Sequence, residues 1–328
     1  MSAALDKQAS TETVVDMSSE TSPPPHHTHT AVDNNNQKVT DHVVEQRGEH
    51  VDEYLRYDSQ HASALYKLKH RYREELAEFF GTFIMMIFGN GVCAQVSLHN
   101  GKNGEYLSIS FAWGFGVLFG ILAAGGISGA HLNPAVTIMN AVHSGFPWRK
   151  VPGFVAGQML GAFTAAAVVF ANYRSAIRVF DGDVRQVTGP QATAGIFATY
   201  PQPYLTPAGA FFSEFIATAI LAIGLLSIGQ QKSPDRPKYY APVAVALLVI
   251  AIGMALGAPT GYALNPARDF GPRLFTLVAG YGTETFSTAS YYGCWVTIFG
   301  PILGGIFGGY VYRGFLDYES VEPESKTV

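Results

Sequence analysis

The tripeptide Asn-Pro-Ala occurs twice, as Asn133-Pro134-Ala135 and as Asn265-Pro266-Ala267, and each copy opens a short apolar run. Proline suits the first turn of a helix, because the N–H it lacks would find no intrahelical partner there. Asparagine just before it is a strong N-cap. Each tripeptide therefore reads as a helix start. A helix N-terminus carries roughly +0.5 of an elementary charge. Two such ends brought together make a positive barrier to cations and protons without a charged side chain. The side chains of Asn133 and Asn265 could then offer amide donors to one passing oxygen. The stretches just upstream, Gly129-Ala130-His131 and Gly261-Tyr262-Ala263, would line the same path with carbonyl oxygens. Only the second copy carries charge behind it, Arg268-Asp269. Arg268 supplies fixed donors and a cation. Asp269 is expected to brace the loop that presents Arg268 and not to touch a solute. Asp269-Phe270-Gly271 matches a kinase tripeptide, but nothing else of that signature accompanies it.

The elements that must position these groups are membrane spans. The chain is 328 residues long, 48% hydrophobic and only 14% charged. A soluble domain is about 25% charged, and the shortfall lies beyond residue 75. A helical span takes ~20 apolar residues. Six such runs occur, at 75–98, 106–127, 149–172, 208–230, 239–257 and 289–312. Two shorter segments, 133–143 and 265–278, begin at the tripeptides. A helix of ten or eleven residues is roughly 16 Å long, about half of a ~30 Å hydrocarbon core. These are half-helices. The fold class expected is an all-α integral membrane protein of six spans and two half-helices. ELAEFFGTFI, with Glu78, matches FFSEFIATAI, with Glu214, so the halves repeat. With three spans per half the second repeat is inverted, and matching broken helices should meet at the midplane.

The chain divides into a polar tail (1–50), a juxtamembrane amphipathic and basic segment (51–73), a channel-forming domain (74–313) and a short C-terminal tail (314–328). Repeat one covers 74–172 and repeat two 208–313, joined by a loop at 173–207. Composition predicts disorder for the first tail. Its His26, His27 and His29 could bind metal, but polar disorder is the favoured reading. Lys67, Lys69, Arg71 and Arg73 form a topogenic cluster, or one that contacts anionic lipid headgroups. With Arg149, Lys150, Lys232, Arg236, Lys238 and Arg313 they place both termini in the cytoplasm, although Arg174, Arg178 and Arg185 in loop 173–207 reduce the contrast. The tail could also cap the cytoplasmic mouth or be phosphorylated.

Glu78 and Glu214 lie inside spans, where a carboxylate is a functional candidate. Their symmetry suggests that each accepts hydrogen bonds from the pore loop of one repeat; no relay of acidic or histidine partners accompanies them. His131 is expected to pack in the pore loop, and His143 near a cytoplasmic edge. Cys93 and Cys294 read as packing residues, with no disulfide framework implied. Small residues at four-residue spacing (Ala112, Gly116, Gly120 and Ala124; Gly153, Gly157 and Gly161; Gly300, Gly304 and Gly308) permit close helix approach. The net charge of −4 points to no nucleic-acid partner.

Paired tripeptides opening half-length helices in matching repeats resemble the major intrinsic protein family, the aquaporins and glycerol facilitators. The likeness covers about residues 72–315. It implies the six-span, two-half-helix fold, a homotetramer with one pore per subunit, and no cofactor or metal. GYALNPARDFGPRLF, the preceding Gly257-Ala258-Pro259, SISFAWGFGV around Trp113, SGAHLNPAVTI and TYPQPYLTP are similar to glycerol-conducting members, in which Asp typically follows Asn-Pro-Ala-Arg. By the same resemblance the narrow filter falls on Trp113, Gly253, Tyr262 and Arg268. Water-selective members typically carry His at the position of Gly253, so its missing side chain should widen the filter. Glycerol facilitators commonly have Phe where this chain has Tyr262.

The function expected is a passive, non-enzymatic channel for glycerol and similar small neutral solutes, with some water, in the plasma membrane. The alternatives are a water channel with little polyol flux, an ion- or proton-coupled secondary transporter, and a structural junction protein that kept the fold.

Overall fold

The computed structural model describes residues 63–230 and 239–316. The polar tail, the first part of segment 51–73, the loop cations Lys232, Arg236 and Lys238, and the C-terminal tail from 317 lie outside the described residues. Among the described residues nine α-helices follow in order: α1 Ala64–Arg71, α2 Arg73–Leu98, α3 Tyr106–Ser128, α4 Pro134–His143, α5 Val151–Asp181, α6 Pro207–Gln230, α7 Tyr240–Leu256, α8 Pro266–Thr276 and α9 Glu284–Leu316. Among the described residues α2, α3, α5, α6 and α9 are long and apolar enough to cross a membrane. α7 has 17 residues, the short end of the range that spans, ~17–25. α4 and α8, of 10 and 11 residues, are the half-helices.

The two halves pack alike. α2 lies against α3 and α5, α6 lies against α7 and α9, and α3 meets α7 across the centre. In lipid no hydrophobic force draws helices together, so close van der Waals contact must do it. Gly157 and Gly161 of α5 face the backbone of Glu75 and Phe79 on α2. Gly304 and Gly308 of α9 face that of Phe215 and Ala219 on α6 in the same way. A Cβ at any of these glycines would strike a carbonyl oxygen. The outward sides carry exposed Phe80, Leu160, Phe212, Leu247 and Leu303, as a lipid-facing surface should.

The structure differs from the sequence reading at several edges. α5 continues nine residues past 172, to Asp181, so the connecting loop begins at Gly182. Its last turns are held by non-local packing: Ile177 is fully buried, and Tyr173, Ala176 and Phe180 join a cluster with Ile196, Phe197 and Phe275. Arg174 and Arg178 are thus helical residues. α9 starts at Glu284 but breaks at Thr288–Tyr291, where Ala289, Ser290 and Tyr291 have φ of 51°, 58° and 61°. Cys93 is buried, whereas Cys294 is exposed and is not a packing residue; both thiols are free.

Candidate functional site

The N-terminal ends of α4 and α8 meet. Asn133 and Asn265 have extended backbone and cap their helices: Asn133 Oδ1 accepts from the Ala135 N–H, Asn265 Oδ1 from those of Ala267 and Arg268. Pro134 and Pro266 occupy the first helical turns. Each amide also crosses to the other repeat. Asn133 Nδ2 donates to the Leu264 carbonyl at 3.0 Å, and Asn265 Nδ2 to that of Leu132 at 2.7 Å. An amide has two hydrogens, so each side chain keeps a second donor. Both residues line a cavity of about 600 Å³ that runs from Ser144 and Gly229 to Tyr262 and Arg268.

The loops before the tripeptides share one unusual backbone. Gly129, Ala130 and Leu132 have φ of 86°, 52° and 53°; Gly261, Tyr262 and Leu264 have 82°, 41° and 53°. For residues other than glycine such angles cost on the order of 1–3 kcal/mol each and persist only if held. Two buried carboxylates hold them. Glu78 accepts from the N–H groups of His131 (2.9 Å) and Leu132 (2.8 Å), and also from Ser128 Oγ (2.6 Å) and Gln158 Nε2 (2.7 Å). Glu214 accepts from the N–H groups of Ala263 and Leu264, both at 2.9 Å, and from the Tyr292 hydroxyl at 3.3 Å. With their N–H groups bound to carboxylates, the opposite edges of these peptides are free to face the lumen. Gly129, Ala130, His131 and Ala263 line the cavity, while Gly253 and Gly261 do not form its wall.

His131 is tied in on both ring nitrogens. Nε2 lies 3.1 Å from Asn140 Nδ2 and Nδ1 lies 3.2 Å from Thr137 Oγ1. An amide N–H can only donate, so Nε2 is the acceptor and Nδ1 carries the hydrogen. His143 is buried beside Tyr310, with Nε2 3.0 Å from the Ile306 carbonyl.

At the far end of the cavity the Arg268 guanidinium lies over the Trp113 ring, 4.3 Å from its centroid, and reaches the Phe197 carbonyl at 3.5 Å. Among the described residues no carboxylate forms an ion pair with Arg268. Asp269 points elsewhere. It accepts from the N–H (2.7 Å) and hydroxyl (2.6 Å) of Thr199 and pairs with Arg273 Nε at 2.8 Å. Arg273 in turn donates to the Thr199 and Thr285 carbonyls at 2.5 Å. Asp269 thus fastens the connecting loop, whose Phe197 carbonyl receives Arg268. Phe197, Tyr292 and Gln158 went unread in the sequence, and Thr199 was read only as the start of TYPQPYLTP, without its bond to Asp269. No local signal marks them; Arg273 alone was readable, as the i+4 partner of Asp269.

Two broken helices meeting N-terminus to N-terminus inside a bundle, with a cation at one end of the cavity between them, define a transmembrane pore protein. The chain belongs to the major intrinsic protein family, whose model matches residues 65–312. It is 47% identical over 254 residues to "Aquaglyceroporin-2" of Rhizophagus irregularis, covering 77% of this chain and 80% of that one. It is 45% identical over 252 residues to "Probable aquaglyceroporin-2" of Gibberella zeae, covering 76% and 74%. Among solved structures it is similar to the aquaglyceroporin from Plasmodium falciparum, with a TM-score of 0.67 and 32% identity over 74% of this chain and 96% of that one.

Proposed function

We propose that the protein is a passive channel for glycerol and other small uncharged solutes, with some water, that excludes protons and ions. The observation that carries this reading is the make-up of one part of the cavity wall: Arg268 lies over the Trp113 ring, and the Tyr262 ring sits against Gly253. Glycerol has a carbon edge and a hydroxyl edge. Trp113 and Tyr262 offer apolar faces to the first. Arg268 donates to the second, and the loop carbonyls accept its hydroxyl protons. Contacts of this kind replace water without holding the solute, as a fast pore requires. The cation of Arg268, which no carboxylate among the described residues pairs, and the two facing helix N-termini oppose cations and protons. Glu78 and Glu214 are saturated with donors, which argues against coupled ion transport. The filter set is Trp113, Gly253, Tyr262 and Arg268, with Asp269 as support. The protein works as a homotetramer in the plasma membrane with both termini cytoplasmic.

The test is stopped-flow light scattering on proteoliposomes. Wild type should re-swell rapidly in glycerol. Gly253→His should abolish glycerol entry, because an imidazole there collides with Tyr262, and Trp113→Ala should alter the glycerol-to-water ratio. Fast water flux without glycerol entry would replace this reading with a water channel.

A further inference from the structure

Gly253 does more than lack a side chain. With Gly257, which caps the C-terminus of α7 one turn further along, it forms a notch that receives the Tyr262 ring. A Cβ at Gly253 would come within 3.0 Å of Tyr262 Cζ and 3.1 Å of its hydroxyl. A Cβ at Gly257 would overlap Tyr262 Cδ1, the Tyr106 hydroxyl and the Gly253 carbonyl oxygen. The ring therefore lies along the helix, its tip at one glycine and its base at the other. The third wall is polar. Ser110 Oγ stands 3.2 Å from the same Gly253 point, and the Tyr106 hydroxyl donates to the Gly253 carbonyl at 3.0 Å. Ser110 Oγ donates to the Tyr106 carbonyl at 3.2 Å.

Two facts show that this seat holds the ring. The Tyr262 hydroxyl is buried beside Ser110 Oγ at Gly253, so its tip is turned into the wall. Its backbone is fixed independently, since Glu214 holds the next two N–H groups. With the main chain pinned, notch depth alone decides how far the ring stands from Arg268 and Trp113.

We infer that Gly257 and Tyr106 are positioning residues that set the width of the filter through Tyr262, and so discriminate polyols from water. Neither need touch the solute. The inference rests on the glycerol-channel reading, and a methyl group at 257 is the sharpest probe of it. One methylene in a tight apolar site shifts selectivity by about 10–200-fold.

The experiment measures glycerol and water permeability of purified protein in proteoliposomes for wild type, Gly257→Ala, Tyr262→Ala and the double variant. Gly257→Ala should lower glycerol permeability at least about tenfold and water permeability much less. In the Tyr262→Ala background the same change should cost markedly less glycerol flux, because the contact with the ring is gone and only those with the Tyr106 hydroxyl and the Gly253 carbonyl remain. Equal glycerol losses in both backgrounds, or none in either, overturn the inference while leaving the channel reading intact. A wild type that passes no glycerol overturns both. If Gly257→Ala does not assemble, Gly253→Ala takes its place in the same cycle: its Cβ crowds the ring tip by a few tenths of an ångström, and the same outcomes apply with a smaller loss.

Discussion

The two pore loops are near copies in backbone and unlike in surroundings. Gly129–Asn133 and Gly261–Asn265 share their signs of φ, their glutamate anchors and their crossed asparagine bonds. Around the first loop the additional partners are uncharged and local to its own half: Ser128, Gln158, Thr137 and Asn140, with Phe146 and Phe154 against the His131 ring. Around the second they are large or charged: Tyr262, Arg268, and the Asp269–Arg273 pair that reaches the connecting loop. What the loops share is what any solute file needs, carbonyls on one side and two donors at the midplane. What differs can select. The first half scaffolds the pore, and the second half, with Trp113 lent by α3, sets what passes.

If so, damage to Asp269 should exceed damage anywhere in the first loop. Asp269→Asn leaves Arg273, 1% exposed, without a counter-charge. Breaking a buried pair in this way costs about 3–5 kcal/mol. The variant should show the largest fall in thermal unfolding midpoint in detergent, with loss of both glycerol and water flux as the connecting loop detaches. A midpoint within a degree or two of wild type would mean that the second loop does not depend on its charged brace.

Next in size are the anchors. Glu78→Gln and Glu214→Gln each keep one acceptor and set an N–H₂ against backbone donors. An unsatisfied buried group costs about 1–3 kcal/mol. Each glutamate has two side-chain partners besides its loop, but Glu78 holds Ser128 and Gln158 at 2.6 and 2.7 Å, whereas of Thr260 and Tyr292 the latter sits 3.3 Å from Glu214. Glu78→Gln should therefore destabilise more. The reverse order in a thermal-melt comparison would show that the second loop carries the greater strain.

The same division explains what could be read from the sequence. Spans and half-helices were legible because apolar length and the Asn-Pro signal are local. The glutamates were legible because a charge inside a span has few roles. Tyr173, Ile177 and Phe180 extend α5 only because Phe197 packs on their cluster from the loop, a contact with no sequence periodicity. Thr199 meets Asp269 across 70 residues. Gly253 read as a missing side chain, whereas the structure shows a space already filled by Tyr262. Cys294 read as a core residue because an apolar run does not say which of its faces meets lipid.

The finest test of the comparison lies in the asparagines. Their cross-bonds are reciprocal, so replacing either by alanine removes one bond to the opposite loop. Their caps are not equal. Asn133 accepts one helix N–H, at 2.8 Å, whereas Asn265 accepts two, at 2.9 and 3.2 Å, the second from Arg268 itself. Loss of an N-cap costs about 1 kcal/mol. Asn265→Ala should thus be somewhat less stable than Asn133→Ala. It should also alter the glycerol-to-water ratio, because the start of the turn bearing Arg268 is freed. Asn133→Ala should lower both fluxes together and leave their ratio near the wild-type value. Equal ratios in the two variants would show that the Arg268 guanidinium is held by Phe197 and Trp113 alone, and the second loop would then differ from the first only in what packs behind it.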